Sequence, residues 1–300
     1  MGRTGLVVSE IGFGCGGNAG LMVHGTADEQ RAAISTALEL GINYFDTAPV
    51  YGDTASESNL GRALRSLGAK PIVATKIALE FDELDDIPAA VVDSVERSLG
   101  RLGLERLELV HLHNRVGTRR APKPNIGVGA LLTVDDVLGP RGVVEGLRRL
   151  RTRGLVGSFG CCAFGGEMQA VRTLIDSGWF DNLLVHYSLL NRTAWNPASE
   201  HDGMNYEGIG EYAARRGLGT SVLRVFEGGA LTGARHRLAR ESASPSYQRV
   251  VAKARALLEE TNEHPVRYAL RFALSNPDVS TVLIGFSEAR QVEEAAAFAA

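Results

Sequence analysis

The sequence predicts an α/β protein: a single (β/α)8 TIM barrel with long loops at its C-terminal face. Two observations carry this reading. Short apolar runs alternate with amphipathic helical runs eight times along the chain, and most helical runs stop at a glycine. The 300 residues suit one large domain or two small ones, but no linker, low-complexity tract or further repeat divides them, so residues 1–300 read as one barrel domain.

The first strand reads from Glu10 to Gly14 and its helix from Asp28 to Leu40, opened by the acidic pair Asp28-Glu29 and stopped by Gly41. The second strand, Asn43 to Thr47, leads to a helix from Ser56 to Leu67 that Ser56-Glu57 should open and Gly68 should end. Strand three runs from Ile72 to Lys76, with its helix from Ile87 to Leu102 before Gly103. Strand four runs from Leu107 to His113; its helix, Val143 to Arg153, ends at Gly154. Strands five and six, Val156 to Cys161 and Asn182 to His186, precede helices at Met168 to Ser177 and Ile209 to Arg216, closed by Gly178 and Gly217. Strand seven is Gly219 to Arg224. The helical stretch from Val250 to Arg271 should break at Glu263-His264-Pro265-Val266, since proline removes a donor and clashes inside a helix. Strand eight, Thr281 to Ile284, and a helix from Glu288 to Phe298 complete the series. Two connections, Asn114 to Gly142 and Ser188 to Gly208, exceed ordinary turns and leave strands at their C-terminal ends, where barrel sites lie; they are expected to wall a substrate pocket.

A net charge of −3 and a dispersed 22% of charged residues argue against a nucleic-acid surface. The three cysteines, with Cys161 and Cys162 adjacent, cannot build a disulfide framework and are poor co-ligands for one metal. Reduced thiols, the lack of a leader-like amino terminus and the lack of an apolar run near 18 residues lead us to expect a soluble, cytoplasmic protein with a small-molecule partner. The sequence gives no reading of oligomeric state.

The most informative run is Asn43-Tyr44-Phe45-Asp46-Thr47-Ala48-Pro49-Val50-Tyr51-Gly52, followed by Lys76 and His113 at the ends of two later strands. Four proton-handling side chains are thereby carried to one end of successive strands. Tyrosine is a poor acid near neutrality, with an unperturbed pKa of about 10. A neighbouring ammonium favours the phenolate and should lower that value, and a carboxylate would hold the ammonium charged.

At these residues the chain resembles the aldo-keto reductase superfamily, whose members carry Asp, Tyr, Lys and His in this order around a motif like Phe-Asp-Thr-Ala-x-x-Tyr-Gly. The resemblance extends from Gly2-Arg3-Thr4-Gly5-Leu6 and Ser9-Glu10-Ile11-Gly12-Phe13-Gly14 to the final helix. It implies a barrel floor normally capped by an earlier strand, here expected to be shortened because Met1 leads directly into Gly2. It also implies hydride transfer between a nicotinamide and a small carbonyl, sugar or alcohol. Tyr51 would act as general acid or base, Lys76 and Asp46 would tune it, and His113 would orient the carbonyl.

The resemblance further implies where a cofactor lies, with NADP favoured by family habit and NAD remaining open. Gly228, Gly229, Leu231 and Gly233 match a pyrophosphate loop after the seventh strand. Gly285, Ser287, Arg290, Gln291 and Glu294 match the adenosine end. Asp46 belongs to the cofactor side as well as to the tetrad. The nicotinamide contacts depart from the family: Cys162, Ala163 and Leu184 stand where a Ser-Asn pair and a Gln are common, Leu223 where an aromatic ring stacks, and Arg224 where Ser is common. Asn114, Arg115, Asn191 and Trp195 are the substrate-contact candidates in the two long loops.

Three other readings deserve statement. His111-x-His113 with His186 could ligate a metal, but metallohydrolase barrels add an aspartate at the last strand, and here that strand ends Leu283-Ile284-Gly285-Phe286. His111 is therefore expected to be a satisfied interior residue. A cofactor-sensing binding module and a lyase or isomerase with an internal redox step remain the alternatives on the same barrel.

Overall fold

The computed structural model describes residues 1–122, 128–201, 203–232 and 245–299. Eight parallel strands close into a barrel in chain order: β1 (Ile11–Gly14), β2 (Tyr44–Asp46), β3 (Ile72–Ile77), β4 (Leu107–Leu112), β5 (Val156–Cys162), β6 (Asn182–His186), β7 (Gly219–Leu223) and β8 (Thr281–Gly285). Closure is made by β8 against β1, with Phe13 opposite Ile284 and Gly14 opposite Gly285. The fold class expected from the eight alternations is thus observed.

The strands sort their side chains by the two-residue period of extended chain. Phe45, Val73, Val110, Leu183 and Val282 point outward into the main core under the helices. Their neighbours Tyr44, Ala74, Leu109, Leu184 and Leu283, with Cys162, fill the barrel interior. Burying each large apolar side chain contributes roughly 1.5–3 kcal/mol, so this sorting fixes the register of every strand. Met1 and Val8 pack against the interior cluster from below. Among the described residues the floor carries a single 3-10 turn, Gly2–Thr4, tied on by Arg3 N to the Gly217 carbonyl at 2.9 Å.

The outer layer comprises α1 (Ala27–Glu39), α2 (Ala55–Leu67), α3 (Ile87–Leu102), α4 (Val143–Thr152), α5 (Met168–Asp176), α6 (Ile209–Ala214), α7 (Pro245–Glu259), α8 (Pro265–Leu274) and α9 (Ala289–Ala299). Gly41, Gly68, Gly103, Gly154, Gly178 and Gly217 all have positive φ, the left-handed conformation that ends a helix. At α1 the Thr26 side chain and Glu29 form a reciprocal capping box.

Two readings of the sequence need correcting. Ser56 and Glu57 do not cap α2, whose N-cap is Thr54 without a side-chain bond. Both face inward: Ser56 Oγ donates to the Cys15 carbonyl at 2.9 Å, and Glu57 accepts from Thr75 Oγ1 at 2.5 Å and Arg101 Nε at 2.6 Å. An acidic residue in a first turn reads the same in sequence whether it serves the helix dipole or a buried partner. The second correction concerns the stretch before β8. It does break ahead of Pro265, but its first helix begins at Pro245 rather than Val250.

The loop after β4 contains a two-stranded ribbon, Val116–Gly117 with Leu132–Thr133, and a short turn of helix, Val134–Leu138. No helix among the described residues is long and apolar enough to cross a membrane.

Candidate active site

The ends of β2, β3 and β4 bring together an aspartate, a lysine and a histidine, with Tyr51 in the loop after β2. Lys76 is fully buried and donates to Asp46 Oδ2 at 2.5 Å and to the Thr47 carbonyl at 2.8 Å. Its Nζ lies 4.9 Å from the centre of the Tyr51 ring. The Tyr51 and His113 rings meet edge to face, 6.0 Å apart at 88°. A fixed cation therefore sits between a carboxylate and a phenol whose other side faces an imidazole.

The electrostatics follow from burial. For Lys76, desolvation alone would favour the neutral amine, but the Asp46 carboxylate and the Tyr51 hydroxyl more than offset it and hold its pKa above the ordinary lysine value. Burial pushes the Tyr51 pKa up, and the lysine pulls it back only in part. The net direction corrects the expectation of a lowered tyrosine pKa: the group is a neutral phenol throughout the neutral range. His113 is pushed well below the usual imidazole value by burial, by Lys76 and by His111, so its ring is neutral too. Burial takes His111 down to about 4.

His111 is buried, and its Nε2 meets Asn182 Oδ1 at 2.8 Å. That nitrogen is spent within the barrel wall. No group of three His, Cys, Asp or Glu side chains among the described residues is placed to hold a metal.

Three substrate candidates are redirected. Asn114 is buried, accepts from Leu79 N at 2.8 Å and donates to the carbonyls of Leu79 and Ala130 at 2.8 and 2.9 Å, so its amide is consumed in shaping the β4 loop. Asn191 does the same for the β6 loop, donating to the Met204 carbonyl at 2.9 Å and accepting from Thr193. The Trp195 indole N–H reaches Asp278 Oδ2 at 3.0 Å, and its ring packs on Tyr187. Asp278 precedes β8, at the far end of the barrel from Tyr51. Arg115 alone of the four keeps its donors free: its buried Nε has no partner.

The cofactor candidates divide likewise. Cys162 and Leu184 are buried in the interior cluster with half-buried Leu223 against them, and burial pushes the Cys162 thiol up to about 12. Their side chains form an apolar surface, and the Ala163 N–H is already given to the Leu184 carbonyl at 3.0 Å. Gly228 and Gly229 are left-handed, with φ of 65° and 99°. However, Gly229 N and Leu231 N donate to the Phe226 carbonyl at 2.9 and 3.3 Å, so these two amides are turned away from a phosphate. Gly233 lies outside the described residues. At β8, Gly285 is exposed. Ser287 N donates to Gln291 Oε1 at 2.8 Å and Ser287 Oγ to the Ala19 carbonyl at 3.0 Å, which occupies both donors. Arg290 is largely exposed beside Glu288, and Glu294 pairs with His264 at 3.3 Å.

Sequence reasoning missed two features. Glu227 is buried in the β7 loop and accepts from Ser188 Oγ, with His186 Nε2 at 2.8 Å; burial would raise its pKa, yet these partners hold it below the ordinary carboxylate value. The signal was unusable because His186 and Glu227 lie 41 residues apart. The glycine-rich stretch after β1 was the other. Gly16 lies against Tyr51, where an added Cβ would stand 3.8 Å from the ring, and Ala19 covers Gly285. Its signal, the four glycines Gly14, Gly16, Gly17 and Gly20, was readable.

Comparison with known proteins agrees with this geometry. The chain is 28% identical to L-galactose dehydrogenase of Arabidopsis thaliana, covering 98% of this chain and 85% of that protein. It is 25% identical to pyridoxal 4-dehydrogenase of Microbacterium luteolum, covering 98% and 90%. The holo form of an aldo-keto reductase from Bacillus halodurans superposes with a TM-score of 0.75 at 23% identity, over 99% of this chain and 89% of that one, a likeness of fold. The profile of the Aldo/keto reductase family matches residues 10–300. With the barrel closed in family order and Asp46, Tyr51, Lys76 and His113 gathered at its mouth, the chain belongs to the Aldo/keto reductase family.

Proposed function

We propose that this oxidoreductase transfers hydride between a bound nicotinamide cofactor and a small carbonyl, sugar or alcohol, with Tyr51 as general acid and base. The observation that carries the reading is the contiguous set Asp46, Lys76, Tyr51, His113. The two ends of the lining fit a dinucleotide, since exposed Gly285 and Arg290 suit its adenosine end and the apolar floor of Cys162, Leu184 and Leu223 suits a flat ring held by packing, whereas the Gly229 and Leu231 amides are spent on the Phe226 carbonyl and would not hold its pyrophosphate. Bound there, the cofactor supplies or accepts the hydride.

The chain's own groups handle the proton. As the substrate oxygen gains negative charge, the Tyr51 hydroxyl gives up its proton to it, and the adjacent Lys76 ammonium stabilises the phenolate that remains. Asp46 keeps that ammonium charged and in place. The neutral His113 ring can donate a hydrogen bond to the same oxygen and so fix the carbonyl's orientation. In the oxidation direction the phenolate takes the proton back.

Titration with NADPH and NADH, then nicotinamide absorbance against a panel that includes L-galactose and pyridoxal, tests the reading. Tyr51→Phe should lower turnover at least about 100-fold with cofactor affinity nearly intact. Wild-type turnover in that variant sinks the assignment. Arg290→Ala should narrow any preference for NADPH over NADH by roughly tenfold, since a guanidinium can form charge-assisted bonds to a 2′-phosphate that NAD lacks. An unchanged ratio of dissociation constants removes Arg290 from the site. The apolar carboxamide positions favour one second reading, a module that binds the cofactor without turning it over, and cofactor binding with no redox change across the panel is its signature.

A further inference from the structure

We infer that Arg115 and Arg224 form an anion subsite at the barrel mouth, so that the substrate of the proposed oxidoreductase carries a carboxylate or phosphate in addition to its reacting carbon. This deepens the functional reading above and rests on it. Both arginines flank the turn that follows β5. An added Cβ on Gly165 would stand 2.4 Å from Arg115 Cδ, and the Arg224 guanidinium lies 5.0 Å from the centre of the Phe164 ring. Arg115 is also two residues beyond His113, at most about 7 Å along the chain.

Neither guanidinium has a hydrogen bond or ion pair among the described residues, although both residues are half-buried. Arg101, equally half-buried, is by contrast satisfied, donating to Glu57 at 2.6 Å. The Phe164 ring is a cation–π partner for Arg224 and supplies no oxygen to accept from its N–H groups. The acid that Arg224 feels, Glu227, is already held by His186 and Ser188. Arg224 also carries a φ of 60°, a conformation that costs a side-chain-bearing residue free energy. Burial lowers the Arg115 pKa, the direction expected of a cation partly stripped of water and not given an acid in exchange. Two half-buried guanidiniums with unpaired donors beside one turn match a planar or tetrahedral oxyanion.

The position also separates Arg224 from the phosphate role that its neighbourhood in sequence suggests. Its guanidinium is turned toward β5, over Phe164, and Arg115 approaches that same turn from β4.

The test uses three para-substituted benzaldehydes: 4-carboxybenzaldehyde, 4-formylphenyl phosphate and the uncharged 4-formylbenzamide. Their affinities are measured by calorimetry on the full chain with NADP present. At least one anionic probe should bind tenfold or more tightly than the amide, and which of the two does so identifies the group. Arg115→Gln and Arg224→Gln should each cut that advantage about tenfold, and Arg115→Lys should keep part of it. Equal affinity for all three probes in the native protein overturns the subsite, as does an advantage that both glutamine variants retain. Failure of every aldehyde to oxidise NADPH counts against the oxidoreductase reading, while the binding ratios still judge the subsite.

Discussion

Tyr51 is a neutral acid because its environment opposes ionisation more strongly than Lys76 favours it. In the reduction direction, the rate should therefore stay flat through the neutral range and fall only above about pH 10. Oxidation, which needs the phenolate, should rise with pH over the same interval. Stopped-flow profiles in both directions check this, and a reduction rate that falls between pH 7 and 8 contradicts it. Lys76→Met leaves Asp46 as an uncompensated buried charge and should cost about 3 to 5 kcal/mol in urea unfolding. Adding Asp46→Leu should restore much of that loss.

His111 gives an acid-side signature. Its pKa is about 4 when folded and about 6.5 when unfolded, so the unfolded chain binds the proton first as pH falls. Stability should thus decline between about pH 6.5 and pH 4, with a shallower slope of melting temperature in His111→Gln. Asp46, Lys76 and His113 were legible because each lies at or next to the end of a strand, a place sequence can locate, and Tyr51 because it follows Asp46 in one continuous motif. Asn114, Asn191 and Trp195 were not, since a polar loop residue looks the same whether it binds a ligand or props up its own backbone.

At the scale of elements, packing sets limits that propensity does not show. Gly61 in α2 faces α3 so closely that an added Cβ would stand 2.4 Å from the Leu102 carbonyl oxygen. Alanine is the better helix former by about 1 kcal/mol, yet Gly61→Ala should lower the melting temperature, because backbone cannot yield as a flexible side chain can. An unchanged or raised value means that α2 and α3 slide apart freely. Strands and glycine stops were readable from local chemistry, periods of two and left-handed ends. The inward turn of Glu57 and the pairing of His186 with Glu227 were not, because both depend on which helix or loop lies beside which strand.

At the scale of the molecule, the sheet has no edge only because β1 pairs with β8. Residues 11–14 must wait for residues 282–285, almost the whole chain later. On a ribosome this imposes a delay. Asp46, Tyr51, Lys76 and His113 emerge early, but the wall that seals their lysine from water is complete only when the last strand has left the exit tunnel. Until then β1 offers an unpaired strand edge, the kind of template on which chains associate. A chain stopped after Ser275 should therefore sediment as aggregate, while co-expression of a separate segment carrying residues 276–300 should return part of it to solution. Nascent copies of this protein are thus exposed from the making of residues 11–14 until residues 282–285 have followed, and demand for a holding chaperone should scale with the time taken to translate that span rather than with the stability of the finished barrel.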